Sequence, residues 1–307
     1  MIGAILLALA PIALLIALGH AMRRLRFLPD AFWPQAERLS YYVLLPALFM
    51  HALAMADLRG LPVAELALTL IAAIVAVAAV LVLAKPWLGY SDAAFTSVFQ
   101  GGIRFNNYVG LSAAGSMLGA SALPLAAVAN AAIVPTVNVL CVLVFARWGS
   151  AQPTLRGILR GLALNPLLMS CVLGIAIQLS GLGLPPGVEG CLKALGQASL
   201  PIGLLCVGAA LDWGALGRGL KPALVASIAK FVLMPLATYA ALKGFGLGGQ
   251  AATLAILFQS LPTASSSYVM ARQLGGDAPL MAGICALQNV VAAVAVPLAL
   301  ILLVPGW

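Results

Sequence analysis

Two short runs of this 307-residue chain carry side chains able to hold a ligand, and both interrupt long apolar stretches. The first is Gln100-Gly101-Gly102-Ile103-Arg104-Phe105-Asn106-Asn107-Tyr108-Val109-Gly110. The second is Gln259-Ser260-Leu261-Pro262-Thr263-Ala264-Ser265-Ser266-Ser267-Tyr268-Val269. Their chemistry is non-covalent recognition. A guanidinium, side-chain amides and hydroxyls can hold an anion, but no nucleophile stands beside a base. The chain has no HExxH, no phosphate-binding loop, no paired acidic motif and no Ser–His pair in a suitable context, so an enzyme is not expected. The five cysteines form no CxxC pair, which argues against a metal site.

Within an apolar span, Gly101 and Gly102 permit a helix to break, and Pro262 enforces a break by removing a donor. The N–H and C=O groups so freed must face protein, water or a ligand. Half-helix N-termini then offer partial positive charge to an anion. Arg104 sharpens this expectation, because an arginine at membrane depth costs at least ~2.5–3.5 kcal/mol and needs a partner. All eight acids lie at span ends or in loops, so the partner is either an anionic substrate or carbonyls freed by the break. Asn106, Asn107, Thr263, Ser265, Ser266 and Ser267 add neutral donors and acceptors. Asn130, Asn138, Gln288 and Asn289 either line the same site or bond to neighbouring helices. Lys230, also mid-span, is read as a second cavity cation or as a partner of Asp57 or Asp212. The driving force is less legible. Glu65 is the most membrane-proximal acid, and His20 and His51 read as interfacial. No cofactor is expected beyond a coupling ion, Na⁺ or H⁺.

The elements that position these residues follow from composition. Hydrophobic residues make up 63% of the chain and charged residues 8%, with a mean hydropathy of +1.10. Soluble domains carry about a quarter charged residues, so this is an all-α polytopic membrane protein. The net charge of +8 is that of cytoplasmic loops and does not point to nucleic acid. Ten apolar spans of helical length fit, at roughly 2–21, 36–55, 62–84, 92–118, 121–146, 157–180, 190–211, 220–243, 249–274 and 279–304. Loops on one side then hold Arg23, Arg24, Arg26, Arg38, Lys85, Arg147, Arg156, Arg160, Arg218, Lys221 and Arg272; the other side has only Arg59, Lys193 and Lys243. This asymmetry places the first set in the cytoplasm and both termini outside.

The order of short matches suggests an internal repeat. Leu7-Ala8-Leu9-Ala10-Pro11 resembles Leu162-Ala163-Leu164-Asn165-Pro166 at an offset of 155, and Phe99-Gln100 meets Phe258-Gln259 with a small slip. The expectation is two five-helix repeats, 1–150 and 151–307. Five is odd, so the second repeat is inverted, and interrupted helices four and nine cross near the midplane. Such a pair points to a transport site.

These features resemble the auxin efflux carrier family and its bacterial members. The most specific part is Leu261-Pro262-Thr263-Ala264-Ser265-Ser266-Ser267, similar to the Leu-Pro-Thr-Ala run of bacterial members, some of them named malonate or other organic-acid transporters. Asn106-Asn107-Tyr108-Val109-Gly110 is similar to the family's Asn-rich fourth-helix break, although it lacks the proline of plant members. The resemblance implies a scaffold of helices 1, 2, 6 and 7, and a transport domain of helices 3–5 and 8–10. It also implies an elevator-like movement, a homodimer and a bacterial inner-membrane location. Two other readings stand beside an organic-anion carrier: an Na⁺- or H⁺-coupled carrier of another solute on this fold, resembling bile-acid carriers, and a sensor that binds without transport.

Overall fold

The computed structural model describes residues 2–56, 61–149, 157, 160, 163–211, 214 and 219–304. Among these residues the protein is helical, with turns and no strand. Helix α1 spans Ile2–Arg24. Helix α2, Phe32–Leu39, runs through a π-helical turn at Ser40–Leu44 into α3, Leu45–Ala54. Helix α4 is Val63–Leu88, followed by α5, Asp92–Ile103, and α6, Asn107–Leu118. Helix α7 is Leu123–Trp148, α8 is Pro166–Ser180 and α9 is Pro186–Ala209. Helix α10, Leu220–Ile228, passes through a second π turn at Ala229–Leu233 into α11, Met234–Phe245. Finally come α12, Gly249–Gln259, α13, Ser266–Leu274, and α14, Ala278–Leu303.

Local chemistry sets these boundaries. Ser91, Asn165 and Asp277 accept hydrogen bonds from the first turns of α5, α8 and α14, satisfying donors that have no intrahelical partner. Gly89 and Gly275 end α4 and α13 at φ +66° and +77°, where a side chain is strained. Each π turn stands just before a proline, Pro46 or Pro235. A proline has no N–H and crowds the carbonyl four residues back. The residue before each proline bonds five residues back instead, Leu45 to Ser40 and Met234 to Ala229.

Six helical segments are long and apolar enough to cross a bilayer: Leu7–Arg24, Val63–Leu88, Ala120–Trp148, Pro186–Ala209, Leu220–Phe245 and Ala278–Leu303. Helix α8 is apolar but shorter. The expected spans at 92–118 and 249–274 are each split in two, as their composition predicts.

Two groups of helices pack most closely among themselves. One is α1, α2–α3, α8 and α9; the other is built from α4, α5, α7, α10–α11, α12, α13 and α14. In the first group, α1 and α9 touch backbone to backbone: a Cβ on Gly208 would collide with the carbonyl of Ile16, and one on Gly19 with that of Leu205. In the second, Phe95, Phe99, Phe145 and Phe258 are fully buried. Helices α6 and α7 touch both groups. Leu7, Leu83, Val172 and Val294 are among many large apolar side chains left on the outside, as a lipid-facing surface requires.

Candidate functional site

The two interruptions meet. Helix α5 ends at Arg104, whose backbone is extended at φ −76° and ψ 161°, and α6 begins after Asn106 at φ −97° and ψ 109°. Any residue adopts these angles, so the first break does not use glycine conformations. This corrects the expectation for Gly101 and Gly102, which remain inside α5. Their role is close packing: a Cβ on Gly101 would lie 2.6 Å from Ile284, and one on Gly102 would lie 2.7 Å from Leu81. Asn106 supplies the start signal for α6, its Oδ1 accepting from the N–H groups of Tyr108 at 3.0 Å and Val109 at 3.3 Å. In the second break the residues between α12 and α13 include Pro262, which is buried. Phe105 packs on Phe258 with ring centroids 5.8 Å apart, and Gly110 lies against Leu261.

Gln288 of α14 fastens the breaks together. Its Nε2 donates to the Gly101 carbonyl at 2.9 Å, and its Oε1 accepts from the Thr263 N–H at 2.9 Å. One fully buried amide thus satisfies two backbone groups, one near each break. Thr263 Oγ1 and Ser267 Oγ, 3.1 Å apart, brace the second break from within.

A cavity of about 710 Å³ opens beside the breaks. From the first break it takes Arg104, Asn106 and Asn107, and from the second Ser265 and Ser266. Asn138 of α7 joins them. Arg104 Nη1 donates to Asn138 Oδ1 at 2.9 Å and approaches Met270 Sδ at 3.5 Å, while Nη2 donates to Ser266 Oγ at 3.3 Å. All three acceptors are neutral. Among the described residues Arg104 makes no ion pair, and its Nε is buried without a partner. The Asn107 Oδ1 is likewise unpartnered. The cavity is therefore lined by a guanidinium with no ion pair among the described residues and by the N-terminal ends of α6 and α13, groups that favour an anion.

Other predicted residues lie elsewhere. Gln100 is fully buried, with neither amide atom partnered among the described residues, and Gln259 reaches the Leu70 carbonyl at 3.2 Å. Asn130 and Asn289 bond their own helices, to the carbonyls of Ala126 and Cys285. None of these four, nor Gly101, Gly102, Pro262, Thr263, Ser267 or Gln288, lines the cavity. Lys230 sits on the second π turn, fully buried, off the cavity and with no hydrogen-bond partner for Nζ among the described residues. Asp57 and Asp212 lie outside the described residues.

Sequence reading missed the opposite wall. Glu37, Arg38, Tyr41 and Asn165 face the breaks across the cavity. Glu37 Oε1 accepts from Ser265 Oγ at 2.6 Å, over 228 residues of chain. The placement of all acids at span ends or in loops overlooked that the second helix starts at Phe32, four residues before the apolar run, which carries Glu37 past its first turn. Its companion Glu65, by contrast, is exposed in the first turn of α4. The partial signal was Trp33 and Ala36, apolar residues that continue the helix's buried face toward its N-terminus.

Residues 150–300, which contain the second break, match the family model described as "Membrane transport protein". The chain is also 29% identical over 273 residues to the "Putative malonate transporter" of Rhizobium meliloti (strain 1021), covering 85% of this chain and 84% of that protein. Both comparisons liken the chain to membrane transport proteins. The resemblance to auxin efflux carriers, read from two motifs, is borne out at the level of the family. As a multi-pass membrane transporter it needs a site that binds reversibly. The groups that line the cavity beside the breaks offer charge and hydrogen bonds, the chemistry of reversible binding.

Proposed function

We propose that this transporter moves a small organic anion, a dicarboxylate such as malonate or an auxin-like monoacid, by secondary transport across the bacterial inner membrane. The observation that carries the reading is Arg104: a cavity-facing guanidinium held only by neutral acceptors, where two helix breaks meet. A carboxylate entering the cavity replaces those weak partners with a charge-assisted pair. The malonate named for the Rhizobium meliloti relative fits this chemistry and a cavity of about 710 Å³.

The reading places ten spans in two inverted five-helix repeats, with the broken pairs as spans four and nine. Its support is the recurring order of a long helix, a broken pair and a second long helix: α4 to α7, then α10 to α14. The group of α1, α2–α3, α8 and α9 acts as the scaffold, through which two copies pair. The second group carries the anion in an elevator-type movement. The cavity includes Arg38, Gly157 and Gln273, from segments on the basic side, so this conformation faces the cytoplasm and both termini are periplasmic.

Malonate counterflow into proteoliposomes of the purified protein tests the reading. Arg104→Ala should weaken malonate binding about 10- to 100-fold while the protein still folds, as expected for losing hydrogen bonds to a charged group. Unchanged affinity in that variant refutes the assignment. Binding without any flux in the wild type would make the protein a sensor.

A further inference from the structure

We infer that the preferred substrate bears an ammonium group as well as a carboxylate, so that the site takes an amino acid or another short zwitterion; this rests on the reading that Arg104 receives a carboxylate. The cavity beside the breaks holds two opposite charges that do not neutralise each other. Arg104 stands at the first break, and Glu37 of α2 stands on the opposite wall. No ion pair joins them among the described residues, so they stand beyond ion-pair distance, with room for a ligand between. Each is held instead by one of two consecutive hydroxyls at the second break. Ser265 Oγ donates to Glu37 Oε1 at 2.6 Å, and Ser266 Oγ accepts from Arg104 Nη2 at 3.3 Å. The remaining acceptors of Arg104, on Asn138 and Met270, are neutral as well.

A simple anion answers only half of this arrangement. Its carboxylate pairs with Arg104 but brings a second negative charge into the cavity that holds Glu37. A carboxylate has acceptors alone, so it offers Glu37 no donor. A short zwitterion answers both halves. Its carboxylate takes the guanidinium in a charge-assisted pair, and its ammonium donates to Glu37 in another. Malonate, with no cationic group, engages the Arg104 half alone.

The aromatic lining favours the same ligand. Tyr41, Tyr42 and Tyr108 border the cavity. Tyr41 lies four residues after Glu37, on the π turn that continues α2, and Tyr42 packs edge-on against it with ring centroids 5.2 Å apart. Aromatic faces attract an ammonium through their negative quadrupole and offer a carboxylate no such gain. Arg38 also borders the cavity, but it is exposed, and water and salt screen its charge. Glu37 is the acidic side chain among the described residues that line the cavity, which makes it the partner for the ammonium.

Isothermal titration of the purified protein at about pH 7, where an alkyl ammonium keeps its proton, tests this with two matched series. One is glycine, β-alanine, γ-aminobutyrate and δ-aminovalerate; the other is acetate, propionate, butyrate and valerate. At the best length the amino form should bind about tenfold more tightly than its parent carboxylate, the gain of one hydrogen bond between charged groups. That amino acid should also exchange across proteoliposomes. Glu37→Gln should bring the ratio close to one. Glu37→Asp should keep a preference but move it to the next longer amino acid, because its carboxylate stands one methylene further back. A role of Glu37 in folding alone would weaken both series together and leave the ratio intact. The inference is overturned if parent and amino forms bind the wild type equally at every length, if the ratio survives Glu37→Gln, or if the preferred amino acid binds without exchange. A hydroxy acid that binds as tightly as the amino acid of equal length also overturns it, by showing that any donor suffices. In each of these cases Arg104-dependent binding of malonate or the parent carboxylates leaves the anion reading standing. If neither series nor malonate binds the wild type, the anion reading itself falls, and this inference with it.

Discussion

Arg104 and Lys230 are both basic residues inside apolar spans, yet the fold treats them in opposite ways. Arg104 reaches a cavity and three neutral acceptors. Lys230 is enclosed, with Nζ unpartnered among the described residues. Burying an amine without a hydrogen bond is costly, so Lys230→Met, similar in length, should raise stability by about 1–3 kcal/mol, read as a higher thermal unfolding midpoint. Malonate affinity should stay within about twofold, because no new charge reaches or leaves the cavity. A large loss of affinity in this variant would put Lys230 at the site after all. Hydropathy alone could not separate the two residues, since it records depth along the chain and not the direction a side chain faces.

At the scale of elements, the breaks depend on a strut from a third helix. Gln288 satisfies the Gly101 carbonyl and the Thr263 N–H at once. Gln288→Leu fills a similar space but leaves both backbone groups buried and unpaired, at about 1–3 kcal/mol each. The variant should unfold at a lower temperature and bind malonate more weakly, because the half-helix ends lose their fixed relation. Retained stability would mean that other groups replace the strut. The interruptions themselves were legible beforehand: Pro262 and the polar run around Arg104 are local signals, and both helices break there. What the glycines do was not legible. Gly101 and Gly102 read as the cause of a break, whereas they let α5 approach α4 and α14, a role visible only once Leu81 and Ile284 are in place.

At the scale of the molecule, the cavity lies between a wall from α2 and α8 and the breaks carried by the second helix group. If this arrangement faces the cytoplasm, access is one-sided. With the five native cysteines replaced, Ser266→Cys should react with a membrane-impermeant thiol reagent added on the cytoplasmic side, and malonate should slow that reaction. Labelling from the periplasmic side alone would reverse the orientation. The five cysteines must go first because all are free and Cys191 is exposed.

Sequence by itself determined a helical membrane protein, the places where two helices break, the asymmetry of basic loops and an arginine beside one break. Each of these is written in nearby residues: run length, proline, glycine and charge act over a turn or two of helix. Only the tertiary structure decided which polar groups meet. It brought Glu37 to Ser265 across 228 residues, set Gln288 as a strut off the cavity, and shut Lys230 away from the cavity. Those outcomes depend on how helices rotate and approach as they pack, and in so apolar a chain many rotations present nearly the same hydrophobic face. The choice among them rests on satisfying a few buried polar groups whose partners are remote in sequence.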